Sequence, residues 1–229
     1  MPTPFQMHMQ REQAKKAREQ QKEKLAAKEP DAAAESATDY TQFELLKHSL
    51  EQDVQAAKNL PRGKARDAMR DETLIPRYQP HAAAYVESGE EYANPVLVWV
   101  MIWLLDAGRI EAAMPLALHA IKQGQAMPAD FKRELPVWIA DTIRTWSEAQ
   151  FKAGHSPEPY FSDMFKALDE MDVPHVVTMK YNKLAGKIAF SQEEYETAVK
   201  FLTAANDLGT ESHPAQVETL LTKAKAKAG

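Results

Sequence analysis

Cysteine is absent from the 229 residues. The chain therefore has no disulfide, no thiolate zinc site and no thiol nucleophile, and a reducing cytosol is its expected setting. Long apolar runs are missing too. The longest, residues 95–105, is far shorter than the ~20 residues of a membrane helix, and the opening MPTPF lacks the apolar core of a signal peptide. No membrane contact is expected. No segment sustains period-two alternation, which leaves an all-α chain. Glycine occurs only eight times and never as a GxxxxGK[ST] phosphate loop, which excludes an ATP motor of that type. GxSxG and HExxH are absent, and no two of the seven histidines stand four residues apart. Catalytic residues, metal ligands and cofactors are therefore all expected to be none.

The net charge of −5 is unevenly spread. Residues 1–28 hold seven basic and three acidic side chains, a surplus of +4 on an otherwise acidic chain. Such an arm suits phosphate, and Lys15, Lys16 and Arg18 are its central cations. A solvated, frayed helix explains the same residues. Residues 10–28 favour helix but offer too few apolar positions for a buried face, so a lone helix ordered by a partner is expected. Residues 29–39, EPDAAAESATD, read as a linker.

Phe43, Leu46, Leu50, Val54 and Ala57 recur at helical spacing, with Asp39 or Thr41 as the cap. Pro61 and Gly63 break that helix. A second is expected over residues 64–74, stopping before Pro76 because a residue preceding proline is pushed out of the α region. Residues 96–106 are apolar on nearly every side and predict a buried helix. Ala107-Gly108-Arg109 turns the chain into a partner helix that ends at Gly124, with Pro115 inside it as a kink. Pro136 opens another helix with Trp138, Ile139, Ile143 and Trp146 on its core face, and Phe161, Phe165 and Leu168 mark one more.

AGRIEAAMPLALHAIKQG and SQEEYETAVKFLTAANDLG align at a constant offset. Ile110 pairs with Tyr195, Ala113 with Ala198, Leu116 with Phe201, Ala120 with Ala205 and Gly124 with Gly209. The preceding helices align as well, Trp99 with Leu184 and Trp103 with Ile188. Small residues at close approaches beside large ones are the logic of tetratricopeptide-like hairpins, although Met101 stands where the second copy has Gly186. Two unrelated amphipathic hairpins are the alternative. Either way these segments are architecture that offers surfaces to partners.

The chemistry has to lie elsewhere. Asp130-Phe131-Lys132 has the carboxylate-x-lysine form of a nuclease but no partner acid on a strand, and reads as coincidence. Asp67, Asp71 and Glu72 stand beside Arg66 and Arg70, which suggests charge pairing along a helix. What remains is electrostatic. Lys58, Arg62, Lys64, Arg66, Arg70 and Arg77 cluster around a helix, a glycine turn and a second helix, the outline of a helix-turn-helix. Phosphate contacts there would give salt-sensitive affinity, and sequence readout would require Arg66, Asp67 or Arg70 to reach base edges. A solvated amphipathic face is the competing reading.

The segments QMHMQREQA, YTQFELLKHSLEQDVQAAKNL and LIPRYQPH, and above all NPVLVWVMIWLLDAGRIEAAMPLALHAIKQGQAMPADFKRELPVWIADTI, resemble the small terminase subunits of tailed phages that package DNA with cohesive ends. AGKIAFSQEEYETAVKFLTAANDLG is similar more loosely. The resemblance implies a recognition subunit in the cytoplasm of the bacterial host. It would bind double-stranded phage DNA, assemble as a homo-oligomer, such as a ring, and serve the terminase large subunit, which carries the ATPase. Chains of this branch are also described as endonuclease subunits. The expected layout is a flexible basic arm and linker (1–38), a helical region for DNA binding or oligomerisation (39–92) and a helical-hairpin domain (93–229). The expected DNA-binding residues are Lys15, Lys16, Arg18, Arg62, Lys64, Arg66 and Arg70. A helical-repeat adaptor that binds only proteins, and a metal-dependent nuclease, are the alternatives.

Overall fold

The computed structural model describes residues 4–27 and 36–229. Among the described residues every regular element is helical and none is a strand, as the missing alternation requires. The chain forms two compact units, Met1–Leu135 and Pro136–Gly229. No described helix is long and apolar enough to cross a membrane.

The first unit holds α1 (Pro4–Ala27), α2 (Ser36–Asn59), α3 (Lys64–Met69), α4 (Ile75–Ser88), α5 (Pro95–Asp106) and α6 (Ile110–Gln123). Its core is α5. From Val96 to Leu105 every residue except Trp99 is buried. The helix starts cleanly because the Asn94 side chain accepts the Leu97 N–H at 3.0 Å and Pro95, which has no N–H to satisfy, takes the first helical position. The buried amides Gln123 and Gln125 fasten the preceding loop: Gln123 Nε2 donates to Glu90 O (2.8 Å), Gln125 Nε2 to Tyr92 O (2.8 Å), and Asn94 N–H to Gln125 Oε1 (2.9 Å).

Three sequence expectations are corrected in this unit. Helix α2 already starts at Ser36, so Asp39 and Thr41 lie inside it and neither caps it. The next helix does not stop before Pro76. It widens into a π-helical turn, Arg70–Leu74, in which the Ile75 N–H reaches back to Arg70 O, and α4 then continues the helix. Pro76 can donate no backbone hydrogen bond, and the wider turn carries the helix past it. Nor is α1 a lone helix at its C-terminal end. Leu25 is buried, Gln21 Nε2 donates to Lys122 O (3.2 Å), and Lys22 pairs with Glu134 at 2.9 Å. The expected linker falls largely on residues 28–35, outside the described residues, and helix already begins at Ser36.

The second unit holds α7 (Leu135–Lys152), α8 (Tyr160–Ala167), α9 (His175–Ser191), α10 (Tyr195–Asp207) and α11 (Glu218–Ala228). Ile139 and Ile143 of α7 are fully buried, and the Tyr181 hydroxyl of α9 donates to Ala140 O at 2.7 Å. Tyr181 stacks on Phe161, ring centroids 5.3 Å apart. Helix α11 closes the α9–α10 pair, its Ala224 joining Ala198, Leu202 and Ala205 in one core cluster.

The two hairpins, α5–α6 and α9–α10, turn identically. Ala107 has φ −78°, ψ −2° and Gln192 has φ −88°, ψ 5°. Gly108 and Glu193 have φ of 70° and 63°. Arg109 (−82°, 61°) matches Glu194 (−81°, 68°). The hydrogen bonds repeat too: Arg109 N–H to Leu104 O at 2.9 Å and Glu194 N–H to Ala189 O at 3.0 Å. The glycine absent from the first copy has a physical counterpart. A Cβ on Gly186 would lie 2.6 Å from Leu202 Cγ, so α9 gives up its side chain to a large residue on α10. At the matching positions α5 carries Met101 and α6 carries Ala117, both fully buried. The bulk has changed sides.

Candidate nucleic-acid interface

The basic cluster is built around the α2–α3 connection. Gly63 has φ 95°, ψ −147°, a conformation almost restricted to glycine, and the turn it makes brings Arg66 of α3 onto the carbonyls of Lys58 and Leu60. Behind this turn lies a cleft of about 460 Å³. It is lined by the cations Lys58, Arg62, Arg66 and Arg70, by an aromatic wall of Trp99 and Trp103 of α5 and Phe131 from the loop after α6, and by Asp130, Val54 and Ala57.

The cations of the cluster are not equivalent. Arg66 Nη2 donates to Lys58 O (2.7 Å) in the last turn of α2 and to Leu60 O (2.6 Å) just after it. Arg70 Nη1 pairs with Asp106 Oδ2 at 3.2 Å and approaches Asp67 at 3.9 Å. Burial pushes the Asp106 carboxyl up, against the pull of Arg70, and Asp67 adds to the rise. Lys58 pairs with Asp130 and lies 5.8 Å from the Trp99 ring centroid. Arg77 turns away to Asp53 (2.6 Å), which also accepts the Tyr78 hydroxyl at 2.7 Å. Burial first, then Asp53, pushes the Tyr78 phenol up to about 12. Arg62 and Lys64 are exposed and have no ion-pair partner among the described residues.

The structure therefore brings Arg62, Arg66 and Arg70 together on one cleft, with Lys64 beside them on the surface. Arg66 and Arg70 hold the fold with part of each guanidinium, which works against either one reaching freely to a base edge. On α1, Lys15 and Lys16 are exposed. The Arg18 side chain lies outside the described ones.

The aromatic wall was not anticipated. Trp99 lies 5.8 Å from Trp103 and 6.0 Å, at 67°, from Phe131. The available signal was two tryptophans four residues apart in an otherwise aliphatic helix. Asp130 and Phe131, read from sequence as a coincidental nuclease-like triplet, turn out to be cleft wall. Among the described residues no group of three or more His, Asp or Glu side chains could hold a metal ion.

The profile of the phage small terminase subunit family matches residues 47–176. The whole cleft lies within that span. The probable terminase, endonuclease subunit, of Haemophilus phage HP1 is 34% identical over 154 residues, covering 66% of this chain and 54% of that protein. The match thus spans about half the length of that relative. The terminase, endonuclease subunit, of Escherichia phage P2 is 27% identical over 190 residues, covering 81% of this chain and 70% of its own. No solved structure matches the chain. On the family match, which covers more than half its length, the chain belongs to the phage small terminase subunits.

Proposed function

We propose that this chain recognises phage DNA during genome packaging and presents it to the terminase large subunit. The observation that carries the reading is the position of the basic cleft wholly inside the family-matched segment. The α2–α3 connection would meet DNA in the manner of a helix-turn-helix, with Arg62 and Lys64 on phosphates and Lys15, Lys16 and Arg18 of α1 as a second contact. The two hairpins, packed in tetratricopeptide fashion, would face neighbouring copies and the large subunit. Assembly into a ring would turn weak single-chain contacts into avidity. The work would be done in the cytoplasm of the bacterial host.

Both relatives are named endonuclease subunits, which favours a second reading in which the chain cuts DNA itself. One experiment separates the two. Purified protein is titrated onto duplex carrying the phage's cohesive-end site and onto scrambled duplex, across a salt series with Mg²⁺ present. Recognition predicts site-preferring, salt-sensitive binding of intact DNA. Changing Arg62 and Lys64 to Glu should weaken it at least ~10-fold and reduce the salt slope by about 2. Binding that ignores both changes would remove this patch. Nicking that persists through repurification and stops with a single carboxylate change would establish the nuclease reading.

A further inference from the structure

The cleft has more chemistry than duplex binding uses. A duplex offers phosphates on its outside and keeps its base faces stacked within. Protruding cations such as Arg62 and Lys64 suffice for it. A recess lined by both aromatic side chains and guanidinium groups suits a nucleotide whose base is free to lie on a ring.

We propose that the cleft bounded by Arg66, Arg70, Trp99 and Phe131 seats an unpaired nucleotide of the DNA, its phosphate on the arginine wall and its base against the aromatic wall. This rests on the DNA-binding reading above and narrows it to a chemical class of ligand. At about 460 Å³ the cleft is in the size range of small-molecule sites. The guanidinium groups are fixed before any ligand arrives, Arg66 by Lys58 O and Leu60 O, and Arg70 by Asp106. Neither Arg66 Nη1 nor Arg70 Nη2 has an acceptor among the described residues, and neither is sealed from solvent. Donors held in place and still open to solvent suit a phosphate at small ordering cost.

The second hairpin supplies an independent reason. Its turn is the same, yet Leu184 and Ile188 stand where the first has Trp99 and Trp103, and Ser191 where it has Asp106. The hairpin scaffold folds without these groups. Core packing against Tyr78 explains the buried Trp103, but the scaffold alone does not explain the part-exposed Trp99 or the carboxylate that holds Arg70. The Lys58–Asp130 pair completes the case. Asp130 is the one carboxylate on the cleft lining, and it occupies the ammonium that covers Trp99. A phosphate would compete with it for Lys58.

The test measures binding of a 5′-phosphorylated oligothymidylate and of a blunt duplex to the full chain, by anisotropy and tryptophan quenching. The oligothymidylate should bind. Trp99→Leu should weaken it by roughly 5- to 100-fold, Trp99→Phe should keep most of the affinity, and blunt-duplex binding should change less than about twofold with Trp99→Leu. Asp130→Asn, at an exposed site that costs little stability, should tighten the oligothymidylate a few-fold. Duplex binding without oligothymidylate binding would overturn the nucleotide seat and leave the recognition reading intact. Failure of both ligands would remove both. Oligothymidylate binding that Trp99→Leu leaves unchanged would place the contact elsewhere and overturn the proposal. Should Trp99→Leu fail to fold, Asp130→Asn decides, and unchanged or weaker affinity there refutes it.

Discussion

The α5–α6 and α9–α10 hairpins share their turn residue by residue, down to a left-handed residue at Gly108 in one and Glu193 in the other. They differ in where bulk sits and in what the first helix shows outside the seam. The first keeps Met101 opposite Ala117, and the second Gly186 opposite Leu202. The first carries Trp99 and Trp103 toward a basic cleft, and the second has Leu184 and Ile188. The pair shows that the same turn and a packed seam can carry the large residue on either helix. It also shows that cleft chemistry was placed on only one of two equivalent scaffolds.

The comparison is broken most severely at the seam. Gly186→Met should destabilise the second hairpin by about 3 kcal/mol or more, since even a Cβ meets Leu202 at 2.6 Å. Adding Leu202→Ala, which copies the first hairpin, should recover a large part of the loss. Thermal unfolding of the single and double variants checks both, and simple additivity would mean that the two seams are not equivalent.

Alkali probes Tyr78, whose ring lies 6.1 Å from Trp103. Its folded pKa, about 12, is raised above the ordinary 10. Its contribution to stability is therefore complete below pH 10 and is lost as pH climbs from 10 to about 12, where the loss reaches about 2 kcal/mol. Denaturant midpoints across that range should fall less steeply for Tyr78→Phe than for the parent.

Arg66→Ala should cost about 2 kcal/mol, because the carbonyls of Lys58 and Leu60 lose a charged donor. The exposed Arg62 and Lys64 should accept alanine within about 0.5 kcal/mol. Equal effects at all three sites would mean that Arg66 is as free as its neighbours. The smallest change sharpens the turn comparison. Glu193→Gly should raise stability by roughly 0.5–1 kcal/mol, since glycine takes φ near 63° without strain. Gly108→Ala should cost a similar amount.

Much of the architecture was legible in the sequence because it is periodic. Small residues at Ala113, Ala120, Ala198 and Ala205 marked the seams, and Gly108 and Gly124 marked a turn and an end. The second hairpin ends differently, on Leu208 at φ −85°, although Gly209 matched in the alignment. The continuous helix through Pro76 was not legible, since a proline rule describes local preference and the π turn is a tertiary solution. The basic cluster was visible as charge. Its division into groups that hold the fold and groups that face solvent was not, because Arg66 finds its acceptors at Lys58 and Leu60, and Arg70 finds Asp106 far along the chain. The aromatic wall was hidden for the same reason: Phe131 reaches Trp99 from another element.

The central claim is that DNA meets the first unit at the α2–α3 turn and the cleft beside it, and leaves the α9–α10 hairpin untouched. Hydrogen exchange of the full chain with and without cohesive-end DNA tests it directly. Peptides covering residues 58–70 and 128–133 should gain protection on binding, while those covering 184–202 stay unchanged. Protection confined to 184–202, or none at 58–70 and 128–133 while DNA is bound, would contradict the account.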